Sequence, residues 1–180
     1  MKDAALARRC VALKLVLSDV DGVLTDGSIV YLSDGRDARS FHVRDGLAVA
    51  LAHRAGLRTG LLSGRDSEAV TRRASELGIT VVRQGVRDKA AALREILAEQ
   101  GLAAHEVAYV GDDVNDVAVM GQAGLSAAPA DAPLEVRAEA FMVLQAAGGR
   151  GCLREFVEAI LRARGDWERV VAQIGVADSG

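Results

Sequence analysis

An apolar run that ends in two aspartates sets the tightest limit on how this chain can fold. Leu15-Val16-Leu17 leads into Ser18-Asp19-Val20-Asp21, and Gly22 and Gly27 punctuate the next few residues. A short apolar run bounded by turn residues predicts a buried strand. The end of that strand presents Asp19 and Asp21 at the edge of a sheet, and in open α/β sheets that edge is where ligands bind. One carboxylate there is satisfied by a salt-bridge partner or a helix end. Two on one loop repel each other and lose hydration, and a divalent cation is the simplest group that offsets both effects.

Beyond this run, strand and helix signals alternate. Ser28–Leu32 and Asp37–Phe41 flank Ser33-Asp34-Gly35-Arg36, and Asp34-Gly35 between extended runs predicts a hairpin. Helices are predicted over Asp45–Ala55, Asp66–Leu77, Asp88–Gln100, Val114–Ala123 and Gly151–Arg164, most of them stopped by glycine. Further strands are predicted over Leu57–Leu62, Ile79–Val82, Val107–Val110, Leu125–Ala128 and Phe141–Leu144. Such alternation predicts a parallel sheet built from right-handed crossovers. With 180 residues, half of them hydrophobic, the chain can bury one real core. Residues 1–165 are expected to form that domain, and 166–180 a weakly helical tail.

Composition excludes several classes of function. The net charge is -3 and the basic residues are scattered, which argues against nucleic acid as a partner. Three Phe, two Tyr and one Trp are too few for a base-stacking surface. No apolar run approaches the ~20 residues of a membrane span. The first residues mix an acid with Arg8-Arg9 and carry no long apolar stretch, so no signal peptide is read and the cytoplasm is the expected location. Cys10 and Cys152 lie far apart without a CxxC partner and read as free thiols.

Four short motifs follow core strands or open helices. They are Asp19-Val20-Asp21, Ser63-Gly64-Arg65, Lys89, and Gly111-Asp112-Asp113-Val114-Asn115-Asp116. Singly each is weak. Ser63 alone reads as an ordinary helix N-cap. Lys89 alone reads as a solvated lysine, but a cation in the first turn of a helix opposes the dipole and is better explained if it faces an anion. Acids suit a helix start, so one or two of Asp112, Asp113 and Asp116 are explained as caps; the third adds repulsion that a cation would relieve. In this order, each at the mouth of one sheet, the four motifs resemble the haloacid dehalogenase superfamily of phosphohydrolases. The resemblance runs from about Leu15 to Arg164. Asp19–Gly27, Val43-Arg44-Asp45-Gly46, Gly64-Arg65, Arg73, Tyr109–Asp113 and Gly148-Gly149-Arg150-Gly151 narrow it to the capless branch that hydrolyses phosphates of eight- and nine-carbon sugar acids.

The resemblance implies a three-layer, Rossmann-like α/β fold with a central, mostly parallel sheet, a β-hairpin flap and no cap domain. It implies a Mg²⁺-dependent phosphomonoester hydrolase that releases 3-deoxy-D-manno-octulosonate and phosphate, a step toward lipopolysaccharide precursors. One alternative is the phosphate of a nine-carbon acid, ketodeoxynononate or N-acetylneuraminate. Another, from a different class, is a non-catalytic partner of a cytidylyltransferase. A phosphate monoester is a dianion, so a carboxylate nucleophile needs a cation between them. By the family pattern Asp19 is the nucleophile and forms an aspartyl-phosphate, while Asp21 protonates the departing oxygen and later takes a proton from water. Ser63 and Lys89 complete the catalytic set. Mg²⁺ is expected on Asp19, the backbone carbonyl of Asp21, and Asp112, with Asp113 and Asp116 orienting metal waters and Lys89.

Substrate contacts are expected from Asp21, Lys89, Arg65, Arg73 and the segment His42-Val43-Arg44-Asp45-Gly46. Arginine is the usual bidentate partner for the carboxylate of a sugar acid. Arg73 reads almost equally as part of a solvated helix face. The Gly148–Gly151 loop either binds an anion or simply starts the helix after it. Since no cap is present in the chain, another subunit is expected to cover the site. The resemblance implies a homotetramer. The Ile29–Phe41 hairpin, apolar on both strands, either supplies the intersubunit contact or packs on its own domain, and the tail after Gly165 is a further candidate wall for a neighbour's pocket.

Overall fold

A computed structural model describes residues 2–174 of the chain. In chain order the elements are α1 (Lys2–Ala12), β1 (Leu15–Ser18), β2 (Val30–Tyr31), β3 (Asp37–Ala38), α2 (Val43–Arg54), β4 (Arg58–Leu62), α3 (Glu68–Glu76), β5 (Val81–Arg83) and α4 (Lys89–Gln100). They continue with β6 (Val107–Val110), α5 (Val117–Met120), β7 (Leu125–Ala128), α6 (Leu134–Glu139), β8 (Met142–Val143), α7 (Cys152–Arg164) and α8 (Trp167–Ile174). Six strands pair in parallel in the order β5-β4-β1-β6-β7-β8. From β1 the chain first builds outward through β4 and β5, then returns to the other side of β1 with β6. The crevice beyond the ends of β1, β4 and β6 is therefore the topological switch point, where open α/β sheets bind ligands.

Strand alternation divides the core into two layers. Val16, Leu61, Ala108 and Val110 face the layer made by α1, α2, α3, α7 and α8. Leu15, Leu17, Leu62, Val107 and Tyr109 face the layer made by α4, α5 and α6. The period of two in the strands sends neighbouring side chains to opposite faces, and both faces are covered, so the strands are apolar throughout. Among the described residues only the hairpin and α2 lie between β1 and β4, and only α3 between β4 and β5. No inserted domain stands over the sheet edge among the described residues. No described helix is long and apolar enough to cross a membrane.

Several elements differ from the sequence expectation. Helix α1 was not expected; Cys10 and Leu13 enter the core with Leu6 packed against it, a stripe too thin to stand out. The sequence pattern does not predict α6 either. The hairpin ladder is only two residues long on each side, and Val30 and Tyr31 on it are 54% and 74% exposed. Helix α3 begins at Glu68 instead of Asp66, because the Ser67 amide donates to Gln84 Oε1 at 3.0 Å and the turn before it is held otherwise. The single helix expected over Val114–Ala123 is a 3₁₀ turn, Val114–Asp116, followed by α5.

The region after Gly165 is the largest correction. Gly165, at φ 75°, ends α7 in the left-handed conformation and lets the chain turn back. Helix α8 then packs on the core with Val170 fully buried and Trp167 and Ile174 against the same cluster. Arg162 and Arg154 lie over the Trp167 ring at 4.5 and 5.2 Å. This segment offers more apolar surface to its own chain than a weakly helical tail would. Residues 175–180 of the expected tail lie outside the described residues.

Candidate active site

The site begins where β1 stops. The Asp19 amide donates to the Val110 carbonyl at 2.9 Å, which holds the turn after β1 against the end of β6. Asp19 Oδ1 accepts the Val20 amide at 2.7 Å, and Oδ2 lies 2.9 Å from the Lys89 ammonium. Lys89 is the first residue of α4, which Asp88 caps by accepting the Ala91 amide at 2.9 Å. A buried ammonium at the positive end of a helix is doubly unfavourable. Burial alone would lower its pKa; the charges of Asp19 and Asp116 outweigh that and hold it above its ordinary value.

Asp116 anchors this lysine from below. Its Oδ1 accepts the Lys89 ammonium at 2.6 Å and the Tyr109 hydroxyl, and its Oδ2 accepts the amides of Asp112 at 3.1 Å and Asp113 at 3.3 Å. Tyr109 comes from β6 and is fully buried; burial, and then the charge of Asp116, push its hydroxyl well above the ordinary range. Gly111 makes this possible, since a Cβ there would come 2.5 Å from Asp116 Cβ.

Asp112 lies beside Asp19 over Gly22. Gly22 has φ 95°, and a Cβ at that position would collide with the Asp112 carboxylate. Oxygens of Asp19, Asp112 and Asp116 all lie within 4.8 Å of one another. Burial, then the neighbouring charge of Asp19, raise the Asp112 pKa, and burial followed by the charge of Asp116 raises that of Asp19. Asp112 Oδ1 is buried with no hydrogen-bond partner among the described residues. Two compressed carboxylates and an unpartnered oxygen fit a hard divalent cation. The oxygens of Asp116 are already taken by four donors, so Asp19 and Asp112 are the carboxylates left to face it.

Asp21 faces the opposite wall. Its Oδ1 accepts Arg39 Nε at 2.7 Å, and Arg65 Nε lies 4.0 Å from Oδ2. Ser63 follows β4, and its hydroxyl accepts the Arg65 amide at 3.2 Å. Ser63 is therefore a turn residue and not a helix N-cap, a place that Ser67 occupies at α3. A cavity of about 460 Å³ brings together Asp19, Asp21, Ser63, Lys89, Asp112 and Asp113, with Gly64, Arg65 and Asn115 on its walls. Asp113 stands at the rim and accepts the Val114 amide at 2.7 Å. Arg65 also borders a larger cavity, about 850 Å³, between the hairpin and the start of α3.

The other expected contacts lie elsewhere in the single chain. His42 caps α2, its Nδ1 accepting the Arg44 amide at 3.3 Å. Asp45 is buried, and its Oδ1 accepts the Arg154 amide at 2.8 Å, so it serves the N-terminus of α7. Arg44 lines a separate cavity with Arg150 and Arg154. Arg73 lies across Gly46, where a Cβ would come 2.5 Å from its Nη2, and pairs with Glu76 at 3.4 Å. Val43 is exposed on the same end of α2. None of these residues lines the cavity that holds the carboxylates.

Gly151 does start α7, at φ 94°. The two glycines before it do something further. A Cβ on Gly148 would collide with the Gly22 carbonyl, one on Gly149 would come 2.5 Å from the Asp26 amide, and the Gly149 amide donates to Val23 O at 2.8 Å. This loop backs the Asp19–Gly27 turn. Arg39 and Tyr109 escape the sequence reading as site residues, one in a hairpin of mixed polarity and the other inside an apolar strand. Tyr109 stands in the Tyr109–Asp113 run that carries the resemblance, and the signal for its role is that it is a polar-tipped residue in a strand otherwise built of Val and Ala, where a buried phenol needs a partner.

A family model described as haloacid dehalogenase-like hydrolase matches residues 36–124. The 3-deoxy-D-manno-octulosonate 8-phosphate phosphatase KdsC of Haemophilus influenzae is 41% identical over 153 residues, 85% of this chain and 85% of that protein. The protein of the same name from Escherichia coli K12 is 38% identical over 161 residues, 89% of this chain and 86% of that one. Among solved structures, 3-deoxy-D-manno-octulosonate 8-phosphate phosphatase from Moraxella catarrhalis, in complex with magnesium ion, phosphate ion and a KDO molecule, matches with a TM-score of 0.91. It is 34% identical, and the match covers 94% of this chain and 97% of that one.

Proposed function

Because this chain belongs to the haloacid dehalogenase-like hydrolase family, we propose that it is a Mg²⁺-dependent phosphatase acting on 3-deoxy-D-manno-octulosonate 8-phosphate. The products are 3-deoxy-D-manno-octulosonate and phosphate, in the supply of lipopolysaccharide precursors. The observation that carries this reading is the buried Asp19 carboxylate at the sheet's switch point, held 2.9 Å from Lys89 and beside an Asp112 oxygen that has no hydrogen-bond partner among the described residues.

In this reading Asp19 attacks phosphorus as the bond to the sugar oxygen breaks, giving an aspartyl-phosphate. Asp21 gives the departing oxygen its proton, then takes one from the water that hydrolyses the intermediate. The Ser63 hydroxyl and the Lys89 ammonium hold phosphate oxygens, and Asp116 keeps Lys89 in place. Asp19, the Asp21 backbone carbonyl and Asp112 would hold Mg²⁺, which when bound neutralises charge between carboxylate and phosphate. Asp113, at the rim, would orient water on that ion. Arg65, on the wall shared by two cavities, is placed for the sugar acid.

The remaining substrate contacts, His42, Val43, Arg44, Asp45, Gly46 and Arg73, stand apart from these carboxylates in one chain. A homotetramer would let such residues approach a neighbour's site, and the exposed Val30, Tyr31 and Leu32 of the hairpin would supply the contact. A cytoplasmic location belongs to the same reading, since free buried thiols such as Cys10 and Cys152 are usual there.

The test is phosphate release from a panel of eight- and nine-carbon sugar-acid phosphates, with Mg²⁺ and with chelator. Turnover of the eight-carbon ester above the others, abolished by chelation, is expected. No turnover of any sugar phosphate with Mg²⁺ would end the reading, and preference for a nine-carbon ester would reassign the substrate. For assembly, Val30→Glu or Leu32→Glu is expected to dissociate the oligomer and raise KM. Sedimentation of the wild type as a fully active monomer would remove the tetramer.

A further inference from the structure

A buried arginine grips the proposed acid–base group from a segment that takes no part in the proposed reaction. Arg39 follows β3, and its side chain is only 2% exposed. Its Nε lies 2.7 Å from Asp21 Oδ1 and its Nη1 2.6 Å from Asp37 Oδ2. Asp37 in turn accepts the Ser67 hydroxyl at 3.3 Å, which joins the hairpin to the start of α3. The Asp21 side chain is otherwise lightly held. The Thr25 hydroxyl is 3.5 Å from Oδ1, and Oδ2 carries no hydrogen bond among the described residues.

A guanidinium stripped of water between two carboxylates keeps its place, because moving either partner away would leave a buried charge uncompensated. Its Nε gives Asp21 Oδ1 one directional, charge-assisted hydrogen bond, while Nη1 meets Asp37 by charge without hydrogen-bond geometry. Since a proton donor must lie within hydrogen-bond reach of its acceptor, a small rotation of Asp21 would cost much of its effect. We propose that Arg39 is a positioning residue for Asp21, fixing its rotamer through Oδ1 so that Oδ2 serves the leaving oxygen. The seating of the hairpin thereby becomes a condition for efficient departure of the sugar. This inference rests on the phosphatase reading and its assignment of Asp21.

The experiment compares two esters in purified full-length protein with Mg²⁺. A sugar-acid phosphate has an alkoxide leaving group that needs a proton, whereas p-nitrophenyl phosphate releases a stable phenolate that does not. The ratio kcat/KM covers steps only through the first irreversible one, so it reports departure of the leaving group and not later hydrolysis. Arg39→Met is expected to lower kcat/KM for the sugar ester by about 10–100-fold and for the aryl ester by less than about 3-fold. Arg39→Lys, which keeps the charge without the guanidinium, is expected to fall between wild type and Arg39→Met on that ratio. Equal losses on both esters, or no loss on either, would overturn the inference. Should Arg39→Met fail to fold by circular dichroism, Asp37→Asn unties Arg39 from the hairpin and is read on the same ratio. A selective loss on the sugar ester supports the inference and an equal change refutes it. Inactivity of the wild type on both esters would instead sink the phosphatase reading itself, and this inference with it.

Discussion

Tyr109 and Asp116 are bonded beneath the sheet edge, the phenol of β6 donating to the same carboxylate oxygen that receives Lys89. Both residues are fully buried. A desolvated carboxylate needs every donor it can collect, and here four converge on it. The strand below the site thus helps to set where the Lys89 ammonium stands above it.

Tyr109→Phe removes one of those donors and little volume. Stability is expected to fall by about 1–2 kcal/mol, since the Asp116 oxygen is left with fewer partners. Lys89 still holds two carboxylates, so kcat should fall less than about 10-fold. Urea titration and Mg²⁺-saturated kinetics check the pair of values. A loss of activity far exceeding this would place Tyr109 in the chemistry.

Asp19→Asn and Asp21→Asn should both end useful turnover on the sugar ester while leaving circular dichroism unchanged. The first removes the covalent route altogether. The second removes an acid–base group, whose loss typically lowers the rate about 10²–10⁴-fold. Near-normal activity of Asp19→Asn would refute the aspartyl-phosphate route.

The crowded carboxylates give the metal-free protein a pH signature. Burial first, then neighbouring charge, push Asp112 up to about 8 and Asp19 up to about 6, from ordinary values of 3.8. The folded state therefore keeps protons that the unfolded chain has released above pH ~4, so stability falls as pH rises from there through about 8. Mg²⁺ binds the deprotonated forms and should restore stability at the upper end. Thermal melts from pH 5 to 9, with Mg²⁺ and with chelator, read both effects. Asp112→Asn should flatten the decline and weaken the Mg²⁺ gain; a wild-type Tm that is constant with pH in chelator would contradict the account.

Gly148→Ala tests the loop that backs the Asp19–Gly27 turn. The added methyl meets the Gly22 carbonyl, which is backbone and cannot rotate aside. A loss of about 1–3 kcal/mol is expected, with activity reduced because the turn must shift. Gly121→Ala is the control: its nearest neighbour would be 3.6 Å away and its φ is -69°, so stability should hold or rise by about 0.4–1 kcal/mol. Equal behaviour of the two variants would contradict the packing.

Val170→Ala tests whether α8 belongs to the core. Removing a fully buried valine side chain's methyls should lower stability by about 1–2.5 kcal/mol. Trp167 is the only tryptophan in the chain, so its fluorescence reports docking of the same helix. A variant as stable as wild type would show that α8 packs only loosely.

The amino-acid sequence and the tertiary structure settled different things about this protein. Periodicity and punctuation are local properties, and they were enough to read β1, β4, β6, β7 and α7, the hairpin turn, and four motifs at one sheet edge. Asp19, Lys89 and Asp112 could be read as a group because each follows a strand of one parallel sheet, and topology brings such ends together. Helix α1 is held by a thin apolar stripe and could not be told from solvated chain until the surface it covers was known; α8 carries Trp167, Val170, Val171 and Ile174 at helical spacing, but only two turns of it, too short a run to show by itself that it docks on the core. Arg39 and Asp45 show the deeper limit. Arg39 reaches Asp21 across 18 positions, and Asp45, read as part of a substrate motif, accepts an amide 109 positions away at the start of α7. A buried polar side chain takes its partner from whatever the packed layers bring within about 3 Å, and neither the period nor the spacing of a sequence records that distance.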